Sequence, residues 1–243
     1  MYNIKYPILV FALLASSSLL AIPEVKTYNA SEIRSLDISN ESGDIKISAT
    51  EGDKAEVRVN KVQFTNGCKL VVEMDGSTLV IKNEDNFIFS GDIVCNVGLD
   101  IKVPKQVAIQ IENESGNVSI NGTKGDLKFK LGNGNIDINA EVDELNGRSG
   151  DGNISFNGLA KDTSLKIGKG NIKLTYKKVL EKSHVDINPG SGNSTIYLPA
   201  ESLVKASKRS GNGKIFNEFG NSSSPNLSVL MRSGSGTVTI KKI

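Results

Sequence analysis

Seven glycines, Gly116, Gly134, Gly152, Gly170, Gly192, Gly213 and Gly236, recur along the chain at intervals of 18, 18, 18, 22, 21 and 23 residues. Each sits in a short copy of one pattern: SGNVSI from Ser115, NGNIDI from Asn133, DGNISF from Asp151, KGNIKL from Lys169 and SGNSTI from Ser191. Looser copies are NGKIFN from Asn212 and SGTVTI from Ser235, with an early relative, SGDIKI, from Ser42. Near-constant spacing of this kind marks a stacked array. Apolar residues alternate on both sides of each corner, as in Leu127, Phe129 and Leu131, then Ile136 and Ile138, which is the period of strands with one buried face. One unit orders about 18 residues to bury about four side chains, too few to offset the entropy lost, so neighbouring units must complete it. Two strands per turn joined by corners predict an all-β fold, a single-chain parallel β-solenoid of Gly-Asn/Asp repeats about 18–23 residues long.

Glycine and asparagine both tolerate the positive φ of a tight corner. The pairs Gly116–Asn117, Gly134–Asn135, Gly152–Asn153, Gly170–Asn171 and Gly192–Asn193 are therefore expected at the corners, with the asparagine amides stacked as a ladder. Residues 22–110 are β-like but less periodic, with a hairpin signal at Asp75–Gly76. They read as an N-terminal capping region, followed by regular repeats over 111–243. TYKKVLEKSH, 175–184, is an insertion between turns, either a loop or one helical turn.

The first residues, with one cation at Lys5, an apolar run from Ile8 to Leu14 and small residues ending near Ala21, have the layout of a secretory signal peptide over 1–21. The apolar run is shorter than the roughly 20 residues of a membrane span, and no later segment is apolar enough to be one. Removing Lys5 leaves 28 basic against 27 acidic residues, a near-neutral chain that does not point to nucleic acid. In an exported protein the two cysteines, Cys68 and Cys95, are expected to form a disulfide.

Chemical constellations are sparse. Calcium-binding β-rolls need a carboxylate ladder, but three residues past the repeat glycines stand Asp137, then Ser155, then Lys173. Each glycine cluster opens a strand, whereas a phosphate loop opens a helix. His184 is the only histidine; with Asp186 two residues on, it could share a strand face as an oriented imidazole, but reads first as an exposed residue at the edge of the insertion. Glu112, Glu114, Glu141, Asp143 and Glu144 read as scattered turn residues, and there is no Trp to stack on sugars. Lys166, Lys169, Lys173, Lys177 and Lys178 gather near His184. They read first as a solvated strand face that discourages edge pairing, and second as a binding surface for anionic lipid or glycan. No catalytic residues, metal or cofactor are expected.

LDISNESGDIKIS (36–48), DGSTLVIKN (75–83), VGLDIKVPKQVAIQIENESGNVSINGTKGDLKFKLGNGNID (97–137) and STIYLPAES (194–202) resemble the bacterial DUF4097 and DUF2807-type adhesin domains. Ile101, Val103 and Pro104 match the "IxVP" strand that precedes the family's Gly-Asp/Asn repeats; the two cysteines are not a general family feature. The resemblance implies a β-solenoid surface protein without an assigned catalytic set. Together these readings predict an exported, non-enzymatic adhesin or cell-envelope scaffold, in the periplasm, on the outer surface or secreted from a bacterium, with an envelope glycan, a surface or another envelope protein as partner. A carbohydrate-active β-helix enzyme and an envelope-stress accessory that binds a partner protein are the alternatives.

Overall fold

The computed structural model describes residues 23–65, 67–85, 94–232 and 235–243; the expected leader lies outside them. Apart from a 3-10 turn at Ala30–Glu32, every described element is a strand. In chain order they are β1 (Glu24–Asn29), β2 (Ser35–Ser42), β3 (Ile45–Thr50), β4 (Lys54–Phe64), β5 (Cys68–Asp75), β6 (Thr78–Asp85), β7 (Cys95–Pro104), β8 (Ala108–Ser115), β9 (Val118–Lys124) and β10 (Leu127–Asn133). There follow β11 (Ile136–Asp151), β12 (Ile154–Lys169), β13 (Ile172–Tyr176), β14 (Ser183–Asn188), β15 (Ser194–Leu198), β16 (Val204–Lys208), β17 (Lys214–Asn217), β18 (Leu227–Met231) and β19 (Thr237–Lys242). Residues 177–182 of the insertion form bends and a turn, with no helix.

The strands pair in two ladders whose inner side chains share one core. The first ladder runs β5, β6, β2, β8, β10, the second half of β11, the second half of β12, β14, β18, β16. The second runs β1, β4, β7, β3, β9, the first half of β11, the first half of β12, β13, β15, β19, β17. All pairings are parallel except those of β1, β4 and β5. Period-two alternation puts Ile136, Ile154 and Ile172 in one buried column and Ile120, Ile138, Phe156 and Leu174 in the next. Position 110 lies within β8, and the buried cluster continues through it.

Chain order and stacking order part company at both ends. The spacing of Gly213 and Gly236 predicts successive turns, yet a Cβ on Gly236 would meet the carbonyl oxygen of Gly192. The β18–β19 turn is inserted beside β14–β15, and β16–β17 is pushed to the end. Burial explains the order: β18 and β19 bury Leu227, Val229, Met231, Val238 and Ile240, whereas in β16 and β17 only Val204 is fully buried. The more apolar turn takes the place covered on both sides. At the opposite end β2–β3 is likewise enclosed between β6–β7 and β8–β9.

Both ends of the first ladder are closed by side chains. The Tyr28 hydroxyl and Lys26 ammonium donate to the Val72 carbonyl of β5, at 3.0 and 3.2 Å. On β16, the Ala206 N–H donates to Asn221 Oδ1 at 2.8 Å, the Asn221 amide donates back to the Ala206 carbonyl at 3.4 Å, and the Ser222 N–H donates to the Val204 carbonyl at 2.8 Å. The asparagine thereby substitutes for the next strand.

Large side chains are accommodated by small neighbours one strand away. Phe129 faces Gly147, where a Cβ would lie 2.0 Å from its ring, and Tyr176 lies beside Gly158 with its ring against Phe156. The Tyr176 hydroxyl, fully buried, shares a 2.7 Å hydrogen bond with Thr163. Burial holds this hydroxyl above the usual tyrosine range, a rise the Thr163 bond only partly offsets. A folded-state pKa above the unfolded value of about 10 means stability that is complete below pH 10 and lost as pH rises, because only the unfolded chain can release the proton. Between pH 8 and 11 this amounts to about 1.4 kcal/mol. Urea titrations of wild type and Tyr176→Phe should show a correspondingly shallower alkaline loss for the variant; parallel losses would refute the assignment.

Candidate functional site

At the corner that joins the ladders, Gly43, Gly116, Gly134, Gly152, Gly170, Gly192 and Gly236 form one column, each lying against the carbonyl of the one before it. The asparagines form a second, exposed column. The backbone N–H of Asn135 and its side-chain amide both donate to Asn117 Oδ1, at 3.1 and 3.2 Å; Asn153 does the same to Asn135, and Asn171 to Asn153. Asp44 starts this ladder beneath Asn117, the Asn193 N–H donates to Asn171 Oδ1, and Asn193 Oδ1 accepts from the N–H of Thr237.

The expected conformational role of asparagine needs correction. Gly152 has φ 137°, but Lys182 is the only described non-glycine residue with positive φ. Gly192 also lies outside that region, and Gly190 takes it instead at 57°. Glycine makes the bend and close contact, while asparagine recurs because its oxygen can satisfy the next turn's N–H.

A second, buried asparagine ladder was missed in the sequence. Asn83 donates to Asn40 Oδ1 at 2.8 Å, Asn40 donates to Asn113 Oδ1 at 3.0 Å, and Asn113 reaches the carbonyls of Gly43 and Gly116. The Asn-Glu pairs at 40–41, 83–84 and 113–114 were the available signal. Cys68 and Cys95 form the disulfide, tying the start of β5 to the start of β7.

The expected lysine surface divides. Lys173 lies on the second ladder, its ammonium 5.7 Å from the Tyr197 ring centre. Lys177 lines a small hollow with Lys124 and Glu141, which form an ion pair; that bond holds the Glu141 carboxyl below its ordinary range. Lys178 is exposed in the insertion and Lys169 at the end of β12. His184 Nδ1 is 3.2 Å from Asp162 Oδ1 on the adjacent strand, whereas Asp186 pairs with Arg232. The imagined His184–Asp186 couple does not form.

Lys166 stands elsewhere, on the outer surface of the first ladder, where Lys130, Arg148 and Lys166 occupy one register position on three successive strands. All three are exposed, so their attachment points recur at the strand spacing of about 4.8 Å. Their 18-residue spacing was visible in the sequence but lay hidden behind the denser local cluster.

Glu112 and Glu114 are outward residues of β8, not turn residues, and Glu141 lies within β11. Glu112 and Glu114, with Glu41 and Glu84, line a groove of about 580 Å³, which Lys130 enters 3.6 Å from Glu112; Glu141 is not part of it. Among the described residues, no three His, Cys, Asp or Glu side chains are gathered as metal ligands.

No curated protein matches the sequence. The fold is similar to a "putative adhesin" from Bacteroides fragilis, with TM-score 0.59 and 19% identity over 90% of this chain and 97% of that one. It also matches a "putative cell adhesion protein" from Clostridium sporogenes (TM-score 0.43, 16% identity, 91% and 100% covered). A third match is a "putative lipid binding protein" from Parabacteroides distasonis (0.43, 14%, 91% and 97%). The family model described as Toastrack DUF4097 matches residues 30–242, nearly all of the described chain: the protein belongs to the Toastrack DUF4097 family.

Proposed function

We propose that the chain is an exported, non-enzymatic binding module that holds a linear polyanion of the bacterial envelope on the outer surface of its first ladder. The observation that carries this reading is the column Lys130–Arg148–Lys166, one register position on three consecutive strands. A rigid row of cations at fixed spacing favours an extended chain of repeated negative charges over a compact ligand. Export is supported by the leader-like first residues and the disulfide, and an adhesin-type role by the similarity to the Bacteroides fragilis protein.

The carboxylate groove beside this column favours a second reading, a carbohydrate-active enzyme, because glycoside chemistry uses paired acids. One experiment separates the two. Polygalacturonate is titrated into the protein at low and high salt, with dextran as the neutral control, while new reducing and unsaturated chain ends are measured. Salt-sensitive binding without new ends is expected, weakened at least about tenfold by Arg148→Glu with Lys166→Glu through loss of charge-assisted contacts. Equal binding of dextran, or no effect of charge reversal, would sink the binding proposal; released ends would establish the enzyme.

A further inference from the structure

The two ends of the stack are stepped in opposite senses, and the steps are complementary. At one end the second ladder reaches further: β4 lies outside β7 and β1 outside β4, while the first ladder stops at β5 outside β6. At the other end the first ladder reaches further, because Asn221 and Ser222 cover the outer edge of β16. The second ladder stops there at β17. Among the described residues, no strand pairs with the outer edge of β1 or of β17.

Direction and register agree as well. β1 is antiparallel to β4 and β4 to β7, so β1 runs the same way as β7 and, through the parallel pairings, as β17. Following one register position strand by strand from Val25 leads through Arg58, Asp100, Lys46, Ser119, Asp137, Ser155, Lys173, Thr195 and Thr239 to Phe216. The two ends of that line are exposed apolar side chains, Val25 at 48% and Phe216 at 55%.

We infer that the protein stacks head to tail with further copies of itself, the outer edge of β17 pairing in parallel with the outer edge of β1 in the next copy, so that Phe216 covers Val25 there. The next copy's β1 occupies the place beside the segment carrying Asn221, and its β5 lies one step beyond. The contact joins two different surfaces, so nothing closes it at two chains and it generates an open row. It is independent of the binding proposal, although a row would repeat the cation column along its length. β17 is only four residues long and carries Lys214, features that weaken edge pairing, so the association is concentration-dependent.

The chain is expressed with its own leader, purified as processed, and sedimented without any polyanion at about 10 to 500 μM, a range suited to a small, weak interface. Weight-average mass should climb past two chains with concentration. Val25→Lys and Phe216→Lys, both at exposed edge positions, should each remain single chains with wild-type melting. Mixed in equal amounts they should form a species of two chains and no more, because each retains one intact end. A wild type that stays a single chain throughout, a variant that still grows, or a mixture of folded variants that fails to pair would overturn the inference.

Discussion

Gly152→Val is expected to lower stability by about 3–5 kcal/mol or to prevent folding, whereas Asp151→Ser one residue earlier should change it by less than about 0.5 kcal/mol. At Gly152 two costs coincide. Its φ of 137° is a conformation L side chains rarely adopt, and a Cβ there would lie 1.9 Å from the carbonyl oxygen of Gly134. Local relief is blocked because Gly134 rests on Gly116 in the same way, and Gly170 rests on Gly152. Separating the turns enough to admit valine would also pull Asn153 away from Asn135, removing two hydrogen bonds of 2.9 Å. Asp151 is exposed, between Asn133 and Lys169 on the neighbouring strands, and the equivalent place in other turns holds Ser115 or Ser191. Urea midpoints of the two variants measure the contrast; similar midpoints would mean that the glycine column is not what enforces the corner.

What was legible in the sequence was whatever repeats between consecutive turns. Asn117, Asn135, Asn153 and Asn171 interact at separations of 18 residues, so periodicity exposes them. The buried ladder joins Asn40 to Asn83 and Asn113 across 43 and 73 residues, because β2–β3 is enclosed by turns that follow it in the chain. No period records such an insertion. At the other end, Gly213 and Gly236 keep the repeat's spacing although their order in the stack is exchanged. Only the apolar content of the two turns hints at which is enclosed. The lysines show the complementary error: Lys166 and Lys173 are close in sequence but separated by the corner at Gly170, which sends them to different ladders. Lys166 instead neighbours Arg148, 18 residues away.

Removing the disulfide should cost about 3–4 kcal/mol, the chain-entropy value for a bridge across 27 residues. Its position makes the loss local as well as large. Cys68 opens β5, the outermost strand of the first ladder, and among the described residues β5 is held by β6 on one side and by the Tyr28 and Lys26 contacts to Val72 on the other. Cys95 opens β7, which sits between β3 and β4 in the second ladder. The bridge therefore fastens an end strand to a strand enclosed on both sides. In a stack whose turns are stabilised by their neighbours, loosening one end lets unfolding start there. A Cys68→Ser, Cys95→Ser double variant should lose amide protection first in β5 and β6, with Ile136, Ile154 and Ile172 in the middle of the stack protected as in wild type. Hydrogen exchange read strand by strand, alongside urea unfolding, tests both parts. An unchanged midpoint would show that the end is held by pairing alone, and uniform loss of protection would show that the whole stack unfolds as one unit.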